Sequence, residues 1–460
     1  MRRLAAWSLA AATGLVIWSA VVEPRFVRLR RVEIPVPGLP AAFDGYRILH
    51  LSDFEADGIG TRERQVASIS ARERPDLIAV TGDLVRKALG TQRAEAVFRE
   101  VAGLLGSMPA PDGVWFVQGH GESATRRQEA VLRAALEEAG VRGLWDETRS
   151  VGRHGASLAM AGVRIHDYGA RADWVSGAPG SFTQGPCRRP GYLELPPARG
   201  EAARDYEVTG RLRFTSPEDW IGIMVHSNMG AGRDEAYLVL RRDHVPFLGM
   251  GARGTDYGES SVKWPRAVGP GRWHAFRVRV ETHPDEVRVR ARSWQEGDRE
   301  PAGWDVDSID RSATRIATGA PGFYAEGPGV KQLAEVAVSG YTAGGAWRQP
   351  AGNDILRQLR QSAGAGSPMI LLSHDPDIFP DAAGLGIQLT LAGHTQGGQV
   401  RIPWVGPLVT DTHLGRRFAD GLVSLPGGLM FVTRGIGTTR IPIRFLCPPE
   451  AVLLTLRTAA

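Results

Sequence analysis

Five short apolar runs along this chain each end in an acid or an imidazole, and that recurrence constrains the fold more than any other feature. "YRILHLSDFE" ends in Asp53 and Glu55, "DLIAVTGD" in Asp83, and "GVWFVQGHGE" in His120 and Glu122. "PMILLSHD" ends in His374 and Asp375, and "IQLTLAGHTQGGQ" in His394 and Gln396. Apolar runs of this length read as buried strands. Between and after the first three lie stretches with helical periodicity. Residues 64–73 form one. Residues 91–106 carry Ala94, Val97, Val101 and Leu104 on one face, and 124–139 carry Val131, Leu132, Ala135 and Leu136. A further helix is expected over "NDILRQLRQSA", capped by Asn353 or Asp354. Strand–helix alternation predicts an α/β layered domain, and such sheets place their sites beyond the carboxyl ends of strands.

The alternation breaks between about 170 and 345. "YEVTGRLRF" puts Tyr206, Val208, Leu212 and Phe214 on one face. "FRVRVE" opposes Phe276, Val278 and Val280 to Arg277 and Arg279, and "VRVRARSW" repeats the pattern with Val287, Val289 and Ala291. Period-two patterning with Gly and Pro turns predicts a β-sandwich. With 460 residues the chain exceeds one ordinary core. The expected organisation is residues 1–31 as a membrane anchor, 32–169 with 346–460 as one α/β domain, and 170–345 as an all-β insert in a loop, where insertions are tolerated.

Leu4 to Val22 is apolar and uncharged, just long enough to span a bilayer core at about 1.5 Å per residue. A cleaved signal peptide is the competing reading, but its apolar region would be shorter. The expectation is a single-pass anchor in a bacterial cell membrane. Arg25, Arg28, Arg30 and Arg31 pull the body towards the cytoplasm, yet long domains translocate regardless of charge. The side stays open, with the periplasmic one preferred. Net charge is +5, but the basic residues are scattered rather than clustered, which argues against a nucleic-acid surface. Two distant cysteines, Cys187 and Cys447, exclude a disulfide framework.

A lone aspartate after a strand is usually a turn or cap residue, and a lone histidine usually a satisfied polar group. Five such ends on one sheet system point instead to a two-metal site. Oxygen and imidazole ligands hold two divalent ions about 3.5–4 Å apart, one carboxylate bridges them, and water is activated near neutral pH. Asp83 is the natural bridge, lying on a strand between the others.

"LSDFE", "TGDLV", "QGHGE", "LLSHDPDIF" and "LAGHTQGGQVRIP" together resemble the motif series of calcineurin-like metallophosphoesterases. "LGRRFADGL" and "RGIGTTRIPIRFLCPPEAVLLTL" are similar to the tail of a membrane-anchored bacterial branch, whose members act as phosphodiesterases, some as UDP-diacylglucosamine pyrophosphatases. The resemblance covers roughly 32–167 and 350–458. It implies a layered β-sandwich flanked by helices, and two divalent ions (Mn, Mg, Zn or Fe) on Asp53, Glu55, Asp83, His120, His374, His394 and Gln396. It also implies Asp83, His120 and Glu122 as the catalytic set. The chain departs from the family pattern at four positions. Glu55 stands for a histidine, His120 for an asparagine, Gly121 for the histidine that assists the reaction, and Gln396 for the last histidine. An oxygen-rich first site would favour Mn²⁺, Mg²⁺ or Ca²⁺. His50, Glu122 or His413 would have to substitute at Gly121. An active enzyme with rewired ligands, a one-metal enzyme and an inactive relative all stay open.

The insert resembles the concanavalin-like, laminin-G-like group through "GRWHAFRVRVE", "VRVRARSW" and "GAPGFYAEG". That implies glycan binding, with Trp220, Trp273, Trp294, Trp304 and Tyr324 as stacking candidates and Asn228, Asp234 and Glu235 as a calcium candidate. Core or turn roles explain these residues equally well. The expected function is hydrolysis of a phosphodiester or pyrophosphate in an envelope lipid or glycan precursor. The alternative is a membrane-tethered glycan-binding protein that uses the phosphoesterase domain as scaffold.

Overall fold

The computed structural model describes residues 17–86, 89, 91–122, 126–164, 174–184, 187–198, 203–228, 235–241, 248–253, 268–344, 346, 354–364, 366–412 and 414–459. The chain divides into two compact units, Met1–His166 with Asn353–Ala460, and Asp167–Gly352.

The first unit is built on two six-stranded sheets. Its early strands are β1 (Arg28–Val36), β2 (Arg47–Leu51), β3 (Leu77–Thr81), β4 (Val114–Val117), β5 (Arg142–Gly143), β6 (Glu147–Arg153) and β7 (Ala156–Gly162). One sheet runs β1, Glu450–Thr458, β2, β3, β4, β5, and β2 to β5 are parallel. The other runs Gly421–Leu425, Gly428–Val432, Leu389–Ala392, Met369–Leu372, β7, β6, with its four inner strands parallel.

The sheets pack face to face. Ile48, Leu77, Trp115 and Val117 of the first meet Met160, Ile370, Leu372 and Leu391 of the second. The alternate residues Leu49, Leu51, Val80 and Phe116 face outward into the helices Thr61–Glu73, Thr91–Gly106 and Arg126–Glu138, through Val66, Ile69, Val97, Phe98, Val101 and Leu132. Both faces of these strands are therefore apolar, which is why they read as continuous runs rather than alternating ones. On the second sheet, Leu356 and Leu359 are the buried side of the helix Asp354–Ser362.

Among the described residues no helix is long and apolar enough to cross a membrane. The span expected over 4–22 falls largely outside them. Its described end is a single turn, Trp18–Val22, followed by Glu23–Arg25, and the backbone turns extended at Phe26. The buried Glu23 carboxylate accepts the N–H groups of Leu446 (3.2 Å) and Cys447 (2.6 Å), which ties this segment to the tail.

The second unit is two antiparallel sheets. One runs Cys187–Glu194, Ala320–Gly327, Trp220–Ser227, Ala236–Arg241, Leu248–Arg253. The other runs Val306–Asp310, Val287–Gln295, His274–Thr282, Tyr206–Phe214, Lys331–Ser339, Phe182–Gln184, Trp174–Ser176. Val208, Phe276, Val278 and Val289 of the second pack on Ile221, Ile223, Val239 and Phe323 of the first. The alternate arginines pair outside, Arg277 and Arg279 with Glu207, and Arg288 with Asp307.

Several sugar-stacking candidates are otherwise engaged. The guanidiniums of Arg279, Arg290 and Arg292 lie over the Trp304 ring at 5.5, 5.2 and 4.6 Å, and Arg211 lies over Trp273 at 5.5 Å. Tyr324 is buried, with its hydroxyl on Glu326. Of the calcium candidates, Asn228 donates to Glu235 at 3.0 Å, and Asp234 lies outside the described residues.

Phe276 is buried against Phe323, ring centroids 6.0 Å apart. Phe276→Ala is expected to destabilise the second unit by about 3–5 kcal/mol, read as a lower denaturant midpoint. A change under about 1 kcal/mol would place the core of this unit elsewhere.

Candidate metal centre

All five strand ends converge on the carboxyl edges of the two parallel strand sets. Asp53 follows β2, Asp83 follows β3 and His120 follows β4. His374 follows Met369–Leu372 and His394 follows Leu389–Ala392. Two ligand groups form, each with its donor atoms within 4.8 Å of one another: Asp53, Asp83 and His374, and His120, His374 and His394. The backbone is held in the left-handed region at Asp53 (φ 50°), Glu55 (45°), Asp83 (53°), His394 (68°) and Gln396 (48°). These are five of the fourteen non-glycine residues with positive φ among the described ones. Strain of this kind costs of order 1–3 kcal/mol per residue and clusters where function requires it.

Glycine lets the loops close this tightly. A Cβ at Gly393 would stand 1.9 Å from Ser52 Oγ and 2.5 Å from Asp53 Oδ2, and one at Gly119 would stand 2.3 Å from Asp83 Oδ1. Only a bare backbone fits either place.

His374 is the hub. Its Nδ1 lies 2.6 Å from the Thr81 carbonyl, so Nδ1 carries the proton and donates it there. That leaves Nε2 facing the cluster, 3.3 Å from Asp83 Oδ2 and 3.2 Å from His394 Nδ1. A backbone carbonyl fixing the far nitrogen of an imidazole is the usual support of a metal-ligating histidine. The His120 ring stands 4.7 Å from that of His394 and 5.3 Å from that of His374. Asp53 Oδ2 accepts the His394 N–H at 3.0 Å, while its buried Oδ1 has no hydrogen-bond partner. Asp83 Oδ1 accepts the Gly121 N–H at 2.7 Å.

Charge is crowded here. Burial, then repulsion by Asp83, Asp53 and Glu122, pushes the Glu55 carboxyl up to about 8. Burial and Asp83 push Glu122 to about 7. Burial likewise raises Asp53. Burial acts to lower His374, but Asp83 and Asp53 outweigh it and hold its proton to about 10. Burial opposes the ionised form of Asp83, yet His374 and His120 keep its carboxyl below the usual range. Carboxylates that repel one another, an unbonded buried Asp53 oxygen and imidazole nitrogens turned inward together fit a divalent cation. The donor set suits Fe²⁺ or Zn²⁺ on the histidine side and Mn²⁺ or Mg²⁺ on the carboxylate side, where His374 adds one nitrogen.

The geometry gives several expected residues other roles. Glu122 does not line the cleft: its carboxylate accepts the N–H groups of Asp83 (3.2 Å), Gly119 (2.7 Å) and Leu84. It holds the loops that carry Asp83 and His120 and does not reach reacting atoms. Gln396 is a brace rather than a ligand, with Nε2 donating to Glu55 Oε1 at 3.4 Å and Oε1 accepting the Thr439 N–H at 3.1 Å. Glu55 lines the same cleft but stands outside both ligand groups. Asp375 caps a short turn by accepting the Asp377 N–H. His50, considered for the role vacated at Gly121, is fully buried, and burial pushes its imidazole down to about 3. His413 lies outside the described residues. At 121 itself a Cβ would meet the Val85 carbonyl at 2.6 Å, so the backbone here is built for glycine.

The cleft, about 590 Å³, is lined by Glu55, Asp83, His120, His394 and Gln396, and by Arg86 and Arg440, which the sequence reading missed. Arg86 pairs with Asp57 at 3.2 Å and Arg440 with Asp411 at 2.9 Å. In a chain with arginine scattered throughout, nothing local marks these two.

Matches to known proteins cover short stretches. The chain is 39% identical over 88 residues to the metallophosphoesterase YkuE of Bacillus subtilis, which is 19% of this chain and 30% of that protein. It is 34% identical over 92 residues to the phosphodiesterase YaeI of Escherichia coli, 20% and 33% of the two chains. It is 33% identical over 96 residues to the UDP-2,3-diacylglucosamine pyrophosphatase LpxG of Chlamydia trachomatis, 19% and 28%. These matches support the calcineurin-like metallophosphoesterase superfamily. The chain spans about a third of the length of each curated relative. No family model matches.

The charge crowding sets a pH dependence. Glu55 and Glu122 keep their protons to higher pH when folded than when unfolded, and so does His374. Each therefore contributes stability at low pH that is lost as pH rises, Glu55 from 4.5 towards about 8, Glu122 from 4.5 towards about 7 and His374 from 6.5 towards about 10. His50, held low by burial, acts in the opposite sense only below about pH 6.5, so the Tm of chelator-treated protein is expected to fall between about pH 6.5 and 8.5. Added Mn²⁺ should raise it more at the upper end, where ligands give up protons readily. A chelator-treated Tm that climbs across that window would contradict the geometry.

Proposed function

We propose that the protein is a metal-dependent phosphoesterase acting on a phosphodiester or pyrophosphate. The observation that carries this is the convergence of Asp53, Asp83, His120, His374 and His394 from two sheets, with His374 Nε2 freed towards the cluster by the Thr81 carbonyl. Bound divalent ions would polarise phosphoryl oxygens and lower the pKa of water. Asp83 would hold a cation together with Asp53 and His374, its Oδ2 standing 3.3 Å from His374 Nε2. Arg86 and Arg440 on the cleft wall supply fixed positive charge for the phosphate oxygens. His120, on the cleft wall, is the residue best placed to hold or pass a proton at the leaving oxygen. Its two neighbouring imidazoles leave it a choice between that role and ligation.

The names of YaeI and LpxG support a phosphodiester or a nucleoside-diphosphate-linked lipid as substrate class, and the apolar 4–22 stretch supports a membrane-linked one. On this reading the anchor holds the body to a bacterial cell membrane, facing the periplasm. A second reading is favoured by Gly121, whose site admits no side chain. The domain then keeps its cation but turns over poorly, and a glycan-binding insert carries the function.

Turnover of bis-p-nitrophenyl phosphate with Mn²⁺ separates the two. Asp83→Asn is expected to lower kcat by about 10²-fold or more while the protein stays folded. Wild-type protein that binds Mn²⁺ and shows no turnover would support the second reading.

A further inference from the structure

One face of the first unit carries large apolar side chains in the open. At its tip is the hairpin of Arg401–Ile402 with Gly406–Pro407. Trp404 there is 103% exposed, with Val405, Leu408 and Val409 half-exposed or more beside it. The hairpin joins the tail segment by hydrogen bonds, Arg401 N–H to the Phe445 carbonyl and Phe445 N–H to the Gln399 carbonyl. Leu446 and Ile441, also exposed, continue the face, and Ile441 forms part of the cleft wall. The same segment is tied to the described end of the N-terminal apolar stretch. Arg444 N–H donates to the Ser19 carbonyl at 2.9 Å, and Trp18 Nε1 and Leu446 N–H share the Glu23 carboxylate. Ile17, Trp18 and Val21 are exposed as well.

Two features say what covers this face. Residues 396–410 and 439–446 contain no acid, and their three arginines are engaged: Arg401 pairs with Asp420, Arg440 with Asp411, and Arg444 is buried. Moreover, Trp404 (φ 63°) and Leu446 (φ 51°) are held in the left-handed region, where bulky side chains are genuine outliers. The fold accepts strain to present them outward. Exposed apolar side chains led by a tryptophan, with the neighbouring arginines neutralised by Asp411 and Asp420, match the headgroup–acyl boundary of a bilayer, where tryptophan is favoured. The described end of the uncharged Leu4–Val22 stretch is hydrogen-bonded at this same face through Trp18 and Ser19, and the expected anchor would set a bilayer beside it.

We propose that this face docks on a lipid bilayer surface, with Trp404 inserted at the boundary and the cleft mouth at Ile441 held at the level of the phosphate headgroups. Only the last clause rests on the phosphoesterase reading.

The test is tryptophan quenching by brominated lipid. Full-length protein and Trp404→Phe are each reconstituted with vesicles of phosphatidylcholine and phosphatidylglycerol, brominated or plain. The wild-type minus variant emission isolates Trp404 from the other tryptophans, and the exposed position spares the fold. Insertion to the boundary is expected to quench that difference signal by about half or more in brominated vesicles. An unquenched difference signal overturns the proposal. So does a signal that shifts blue with protein concentration in plain buffer, since the face would then pair with a second copy. Failure of the phosphoesterase reading shows instead as absent turnover with quenching intact.

Discussion

The 2.6 Å hydrogen bond from His374 Nδ1 to the Thr81 carbonyl joins the two sheets of the first unit at the edge where every ionisable group of the site gathers. It turns Nε2 inward and fixes the distance between β3 and Met369–Leu372 at their carboxyl ends. Ser52 Oγ donates to the same carbonyl at 2.8 Å, and the Asp53 N–H donates to Gly82 O at 2.9 Å, so the β2 loop is hung from the same point. The Glu122 carboxylate then draws the β4 loop onto that of β3 through the Asp83 and Leu84 N–H groups and closes its own loop through the Gly119 N–H. The site is assembled by backbone hydrogen bonds and by glycines that permit close approach, more than by contacts among the clustered side chains themselves.

Such an arrangement is costly without a cation. Five residues sit in left-handed backbone conformations, and burial and mutual repulsion push the carboxyls of Glu55 and Asp53 upward. The sandwich core beneath, with Trp115, Met160, Ile370 and Leu391 buried between the sheets, supplies the stability that offsets these terms. A cation bound by the folded state and not by the unfolded chain adds to it by mass action.

The layered architecture and the five strand ends were legible because both faces of each strand are apolar and each run stops at a polar residue. The alternation of Val278, Val280, Val287 and Val289 with arginines made the antiparallel insert legible as well. Other roles depend on partners far away in sequence. Glu122 looks like a catalytic acid beside His120, yet two of the N–H groups it accepts are 38 and 39 residues distant. Gln396 looks like a replaced ligand, but Thr439 and Glu55 take up its amide. Trp304 looks like a sugar platform until three arginines are seen over its ring. Periodicity reports which face is buried; it carries no record of which polar atom a side chain meets.

The central claim is that imidazole nitrogens of His374 and its neighbours bind a divalent cation. Pulsed electron paramagnetic resonance of Mn²⁺-loaded protein tests it directly, because coordinated ¹⁴N modulates the manganese spin echo. The account predicts nitrogen modulation in wild-type protein that is lost in His374→Ala. Manganese that shows only water-proton couplings, unchanged by that substitution, would contradict it.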